Sequence, residues 1–346
     1  MKKFLAILLC ACMALTLVAC NTEKEYKLGM GVVVSMDSSK TENAQVDATV
    51  ATVVLDADGK IVACRIDVAQ NKMAVAGGAV DAAKTFETKM ELGDRYGMAG
   101  KVDNDGNGVM KEWYEQTKAF EAYVVGKTVA EVEAIETKEA NGHQIAVDQA
   151  LLDAGCSMQI TDFIAAVVAA CKDEQGVSFK TAAEFTLGVA AKTSAADSAA
   201  ATAEADGTVA MYTDFAAAVV ADGKIIAALN DAIQPKITIN AAGEITGKSY
   251  KATKRNLKEE YGMAPALGYG MDWNNDGKVL EWYLQSAEFS KYVTGKTADE
   301  VANLATKEVE GKGYVISADD ALLNAGCTIQ ITSIKAVMSQ AAKNAR

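Results

Sequence analysis

Two acidic stretches hold the side chains best suited to chemistry. Residues 103–116 read DNDGNGVMKEWYEQ, and residues 272–285 read DWNNDGKVLEWYLQ. Counted from the first aspartate, side-chain oxygens stand at positions 1, 3 and 5 of each stretch. These are Asp103, Asp105 and Asn107 in the first, and Asp272, Asn274 and Asp276 in the second. Glycine follows at position 6 (Gly108, Gly277) and glutamate at position 10 (Glu112, Glu281). Alternating oxygens can converge on one point, glycine allows the sharp turn, and a hard cation such as Ca²⁺ needs several oxygens together. The backbone carbonyl of Val109 or Lys278 would add another. The two stretches are therefore read as Ca²⁺ sites with a structural role. A plainer reading stays open, in which Asp, Asn and Gly satisfy their own loop backbone and Glu112 favours a helix N-terminus.

A second pair of motifs is built from small residues. Ala154-Gly155-Cys156-Ser157 leads through MQI to Thr161, and Ala325-Gly326-Cys327-Thr328 leads through IQI to Thr332. Small residues let backbone approach a ligand closely, and N–H groups at the start of the following helix can face an anion such as phosphate. Gly155, Ser157, Gly326 and Thr328 are thus candidate cofactor contacts, although a turn packed too tightly for larger side chains would look the same. Trp113, Tyr114, Trp282 and Tyr283 could stack a ring or could be core. Acid–base catalysis through imidazole has no seat, because His143 is the only histidine and its repeat counterpart is not one. A histidine-based metal site fails for the same reason, and no phosphate-loop or dinucleotide fingerprint is present. The expectation is a redox carrier at most, not a turnover enzyme.

The elements that position these residues are written twice. YGM at 96–98 returns at 261–263, and VVGKTVAEV at 124–132 returns as VTGKTADEV at 293–301. AGCSMQIT (154–161) matches AGCTIQIT (325–332), DGKIVA (58–63) matches DGKIIA (222–227), and LGMGVV (28–33) matches LGVAAK (187–192). One order in both copies predicts two tandem domains, 27–174 and 181–342, with the join near 173–180. In each, strands come first and helices after, which is an α+β pattern. Strands are expected over 27–36 and 45–56, with a turn at Asp56–Gly59 and a return strand over 60–68. A helix is expected over 80–98 and another over Met110–Val125. Thr128 with Glu131, and Thr297 with Glu300, have the spacing of capping boxes. Closing helices are expected over Thr161–Cys171 and Thr332–Ala342 with threonine caps, and the polar, small-residue stretch 192–207 as a loop.

Taken together, the DGKI hairpin, the EWYEQ helix, the VVGKT box and the AGC(S/T) turn before a final helix resemble the FMN-binding domain family. The resemblance covers most of both repeats. It implies FMN, carried by phosphoester linkage on the last residue of the turn, here Ser157 or Thr328, with Thr328 the better acceptor. It further implies a surface lipoprotein of the kind that serves extracellular electron transfer in Gram-positive bacteria. The sequence departs from the family at Ala154 and Ala325, where Ser/Thr is usual, and at Cys156 and Cys327, where alanine is usual. Leu151 and Leu322 stand where the family has aspartate six residues before the acceptor. The acidic loops, with glutamate at position 10, resemble the excalibur-type variant of the EF-hand calcium loop.

Composition sets the location. Lys2 and Lys3 precede an apolar run over Phe4–Val18, and LVAC at 17–20 closes it. This is a signal peptide resembling a lipobox, which implies lipidation of Cys20, a tether over 21–26, and a protein held on the outer face of the cell membrane. Lys plus Arg number 34 against 46 Asp plus Glu, a net charge of −12. Without Lys2 and Lys3 the balance is 32 against 46, or −14. Such a surface excludes nucleic acid as a partner and adhesion to anionic lipid through basic residues. It leaves the lipid anchor, a redox partner protein or an extracellular electron acceptor. Cys64, Cys156, Cys171 and Cys327 are expected to be free, with a Cys64–Cys171 bridge left open. The rival function is a non-redox binding or structural lipoprotein with degenerate flavin sites. A solute-binding role is disfavoured, since nothing in the repeats suggests a hinge.

Overall fold

The computed structural model describes residues 22–106, 108–263, 279–311 and 313–346. Cys20, Asn107, Asp272, Asn274 and Asp276 lie outside the described residues.

The first half opens with β1 (Lys24–Ser35), β2 (Asn43–Asp56) and β3 (Ile61–Ala74). Short helix α1 (Lys89–Leu92), helix α2 (Trp113–Val124) and α3 (Val129–Glu133) follow. Hairpin β4 (Thr137–Ala140) and β5 (His143–Ala146) leads to α4 (Gln149–Asp153) and α5 (Thr161–Cys171). Then β6 (Val177–Thr181) returns to pair antiparallel with β1, giving the sheet order β3-β2-β1-β6.

The second half has a similar order of elements but divides its strands between two sheets. Strand β7 (Thr186–Ser194) is followed by β8 (Gly207–Ala210), β9 (Tyr212–Ala221), β10 (Lys224–Ile233), β11 (Lys236–Ile239) and β12 (Ile245–Ser249). These make two sheets, β10-β9-β7 and β12-β11-β8. Helices α6 (Lys254–Leu257), α7 (Trp282–Val293) and α8 (Ala298–Ala302) follow. Hairpin β13 (Thr306–Val309) and β14 (Tyr314–Ser317) then leads to α9 (Asp320–Asn324) and α10 (Thr332–Lys343). The fold is α+β.

Strand alternation explains the layering. In β2, Val46, Ala48, Val50 and Val54 face one way, into a core shared with Leu187, Val189, Phe215 and Val219 of the second half. Ala51, Val53 and Leu55 face the other way, against Trp113, Phe120 and Phe163 on α2 and α5. A matching core lies between the second sheet and Trp282, Phe289 and Ile334 on α7 and α10. The order of layers is helices, sheet, sheet, helices. Helix α5 lies so close to β1 that a Cβ on Gly29 would sit 2.1 Å from the Ala170 carbonyl oxygen. Gly188 holds the same relation to Ala341 of α10, at 1.9 Å, so glycine in each LG pair is a packing requirement.

The expected strands, the turn at 56–59 and both capping boxes are found. Three boundaries differ. Over 80–98 only Lys89–Leu92 is α-helical, followed by a 3₁₀ turn at Gly93–Tyr96. The reason is tertiary: Phe86 packs against the shared core, and Thr88 starts the helix by capping with Glu91. Helix α2 begins at Trp113 and not at Met110, because Glu112 is its N-cap in a capping box with Glu115. Thr161 and Thr332 are the first helical residues and not caps; Ile160 and Ile331 occupy the N-cap positions without side-chain bonds. Of the loop expected over 192–207, only 195–206 is irregular: Lys192–Ser194 belong to β7 and Gly207 to β8.

Candidate functional site

The structure brings the two sequence motifs of the first half into one place. Backbone bonds from Met110 N to Lys101 O (2.8 Å) and Asp103 N to Gly108 O (3.4 Å) close the acidic loop as a small hairpin. The loop lies over the AGCS turn: Asn104 Nδ2 donates to Ser157 O at 2.9 Å, and Lys111 Nζ to Ala154 O at 3.0 Å. Gly155 has φ +90°, and a Cβ there would come within 2.5 Å of Lys111 Cε. Gly326 has φ +93°, with Leu280 Cδ1 in the matching position at 2.7 Å.

A glutamine missed by sequence reasoning occupies the centre of each turn. Ser157 N and Met158 N both donate to Gln116 Oε1 at 3.0 Å, while Gln116 Nε2 donates to Lys111 O at 2.8 Å. In the second half Thr328 N donates to Gln285 Oε1 at 2.7 Å, and Gln285 Nε2 to Leu280 O at 2.7 Å. The amide oxygen sits where an anion's oxygen would be received. Both glutamines are the last letter of the repeated EWYEQ/EWYLQ, which was the available signal. Ser157 is 4% and Thr328 0% exposed. An esterified FMN needs an outward hydroxyl and open N–H donors for its phosphate. With buried hydroxyls and occupied donors, these residues do not fit such a linkage in this conformation.

The acidic loop gives a divided answer to a cation. Asp103 Oδ1 is buried without a hydrogen-bond partner, an arrangement costly for a carboxylate oxygen and suited to a ligand that supplies positive charge. Glu112, by contrast, faces backbone: Oε1 accepts from Ala99 N (3.0 Å), and Oε2 from Met98 N (3.1 Å) and Trp113 N (3.4 Å). Burial works against its charge, but those N–H groups prevail and hold its carboxyl below the ordinary range. Glu281 likewise accepts from Met263 N at 2.9 Å. The glutamates thus tie the YGM turns to the helix starts. Among the described residues, no group of three or more His, Cys, Asp or Glu side chains is arranged to hold a metal.

The tryptophans of both halves pack into the cores. Trp113 and Trp282 are buried. Lys89 lies over Tyr96 and Trp113 at 4.9 and 5.6 Å, and Lys254 over Tyr261 and Trp282 at 4.9 and 5.2 Å. Tyr283 donates to Glu259 at 2.8 Å. All four described cysteines are free, and burial pushes the Cys156 and Cys327 thiols up to about 12, far from the reactive range.

No family model matches the chain, and no solved structure matches it. Among curated proteins it is similar to a chlorophenol reductase of Desulfitobacterium hafniense, with 34% identity over 131 residues. The match covers 33% of this chain and 38% of that protein, so the chain spans little more than a third of the relative's length.

Proposed function

We propose that this protein is an extracytoplasmic, lipid-anchored electron-transfer protein of the FMN-binding-domain type, carrying flavin in one or both halves. The observation that carries the reading is the similarity to a protein named as a reductase, joined to the family resemblance of motifs that the fold gathers at one end of α2. A bound flavin supplies reversible electron transfer. In the folded turn Gln285 Oε1 accepts from Thr328 N, and Gln116 Oε1 accepts from Ser157 N and Met158 N, so any flavin in either half would be held outside these occupied donors. Ca²⁺, held by Asp103 and Asp105 with loop carbonyls, would rigidify the lid over that turn. A redox partner protein or an extracellular acceptor would take the electrons.

A second reading has its own observation. Glutamines that fill both turns, and glutamates that serve the backbone, describe a finished structural unit and favour a non-redox surface module. Intact mass and a visible spectrum on protein from its native host decide between them. Added FMN mass with a flavin band supports the redox reading. A bare polypeptide mass and no bound chromophore would leave the structural one.

A further inference from the structure

We propose that the second half binds a small phenol-like molecule in a pocket between α7, β10 and β6, away from the turn described above. The cavity measures about 310 Å³, within the range of small-ligand sites. Its walls are mainly apolar: Val177, Leu229, Tyr283, Leu284 and Ala287. Leu284 is 38% exposed, an apolar side chain left at the mouth.

The polar groups under the pocket define the ligand. Ser286 Oγ donates to Asn230 O at 3.1 Å, and Ser290 Oγ donates to Asn230 Oδ1 at 2.9 Å. Both serines line the cavity. Asn230 is 1% exposed, and its Nδ2 is a buried donor with no partner. Asn230 lies behind the two serines and does not itself line the cavity. The serine hydroxyls have spent their protons on Asn230 and keep lone pairs to accept one. A ligand hydroxyl meets that demand by donating to a serine Oγ. The two cations at the wall are already engaged, Arg255 by Asp173 (3.0 Å) and Lys291 by Glu288 (2.5 Å), so the site does not select for a strong anion.

The first half shows why the pocket is not simply a by-product of the fold. By the repeat alignment, Ser290 matches Glu121 and Leu229 matches Arg65. There Arg346 reaches in to bond Glu121 at 2.8 Å, beside Arg65. The same place is filled by Arg346 in one half and open in the other.

The test is calorimetric titration of the purified full chain with 2-naphthol and, separately, naphthalene. Saturable one-site binding of 2-naphthol, at least tenfold tighter than naphthalene, is expected. Ala287 is exposed at the rim, so Ala287→Trp fills the pocket without disturbing the core and abolishes binding at unchanged circular dichroism. Ser290→Ala weakens 2-naphthol about fivefold, the value of one hydrogen bond, and leaves naphthalene unaffected. Lys118→Trp, at the position matching Ala287 in the first half, changes nothing. Absence of saturable binding, equal affinity for naphthalene, or full binding by Ala287→Trp would each overturn the proposal.

Discussion

Asp67 and Asp231 occupy matching places on β3 and β10, and each is buried against the start of a short helix. Asp67 Oδ1 accepts from Val68 N (2.7 Å) and Met90 N (3.2 Å); Asp231 Oδ1 accepts from Ala232 N (2.8 Å) and Arg255 N (3.0 Å). Burial raises the Asp67 carboxyl to about 6, against the pull of the Thr88 hydroxyl and those N–H groups. A folded value above the ordinary 3.8 means the folded chain holds the proton more tightly. Stability is then full below about pH 4 from this group and declines as pH rises through 6, by about 3 kcal/mol in total. Asp67→Asn keeps an accepting oxygen and removes the charge. Chemical denaturation from pH 4 to 7.5 is expected to show the variant gaining on the parent as pH rises; parallel curves would refute this. At the same scale, Asp103→Ala is expected to abolish a Ca²⁺-dependent rise in melting temperature contributed by the first loop, and Glu112→Gln to destabilise the protein with or without Ca²⁺. The sequence marked Asp103 and Ser157 but not Gln116, because a glutamine on a helix carries no chemistry until a turn folds onto it. Asp67 was equally hidden: its role needs Thr88, which only tertiary structure brings near.

Local spacing decided how far the elements could be read. Thr128–Glu131 and Thr297–Glu300 are complete within one helical turn, so their capping boxes were legible, and so were strands whose apolar residues alternate. The stretch 80–98 was not, because its buried anchors lie elsewhere in the chain. The backbone just after the short helix is strained in the second half and not in the first. Gly93, after α1, has φ 51° and ψ −128°; Lys258, after α6, has φ 49° and ψ −123°. That region is open to glycine and strained for any residue with a Cβ, at a cost of about 1–3 kcal/mol. Lys258 also approaches Glu174 at 3.5 Å, but both side chains are well exposed and such a pair adds little. Lys258→Gly is therefore expected to raise the midpoint of thermal unfolding, with a gain of about 1 kcal/mol after the entropy of the new glycine is counted. A lowered midpoint would mean that the lysine side chain matters more than its backbone.

At the scale of the molecule, the duplication was plain in the sequence while the way the halves meet was not. A hint existed in VATVVLD of β2, where residues on both faces are apolar, as in a sheet covered on both sides; what covers the second face cannot be read from one strand. The halves also meet through a buried ion pair. Arg255, 4% exposed, gives its guanidinium to Asp173 at 3.0 Å and to Gln175 O at 2.9 Å. Asp173 in turn accepts from Met30 N at 3.1 Å on β1. The repeat position of Arg255 in the first half is Met90, so the pair belongs to the junction and not to the shared plan. Removing one partner strands the other charge in the interior, which costs about 3–5 kcal/mol; replacing both costs far less. Arg255→Met is accordingly expected to lose about 3 kcal/mol. Asp173→Asn alone is expected to lose a similar amount, and the double variant clearly less than the sum. Because the central core is common to both sheets, all four proteins should unfold in one transition by calorimetry and by circular dichroism. A second transition appearing in Arg255→Met would show that the ion pair, and not the shared apolar core, couples the two halves. Additive losses in the double variant would show instead that the two side chains act separately.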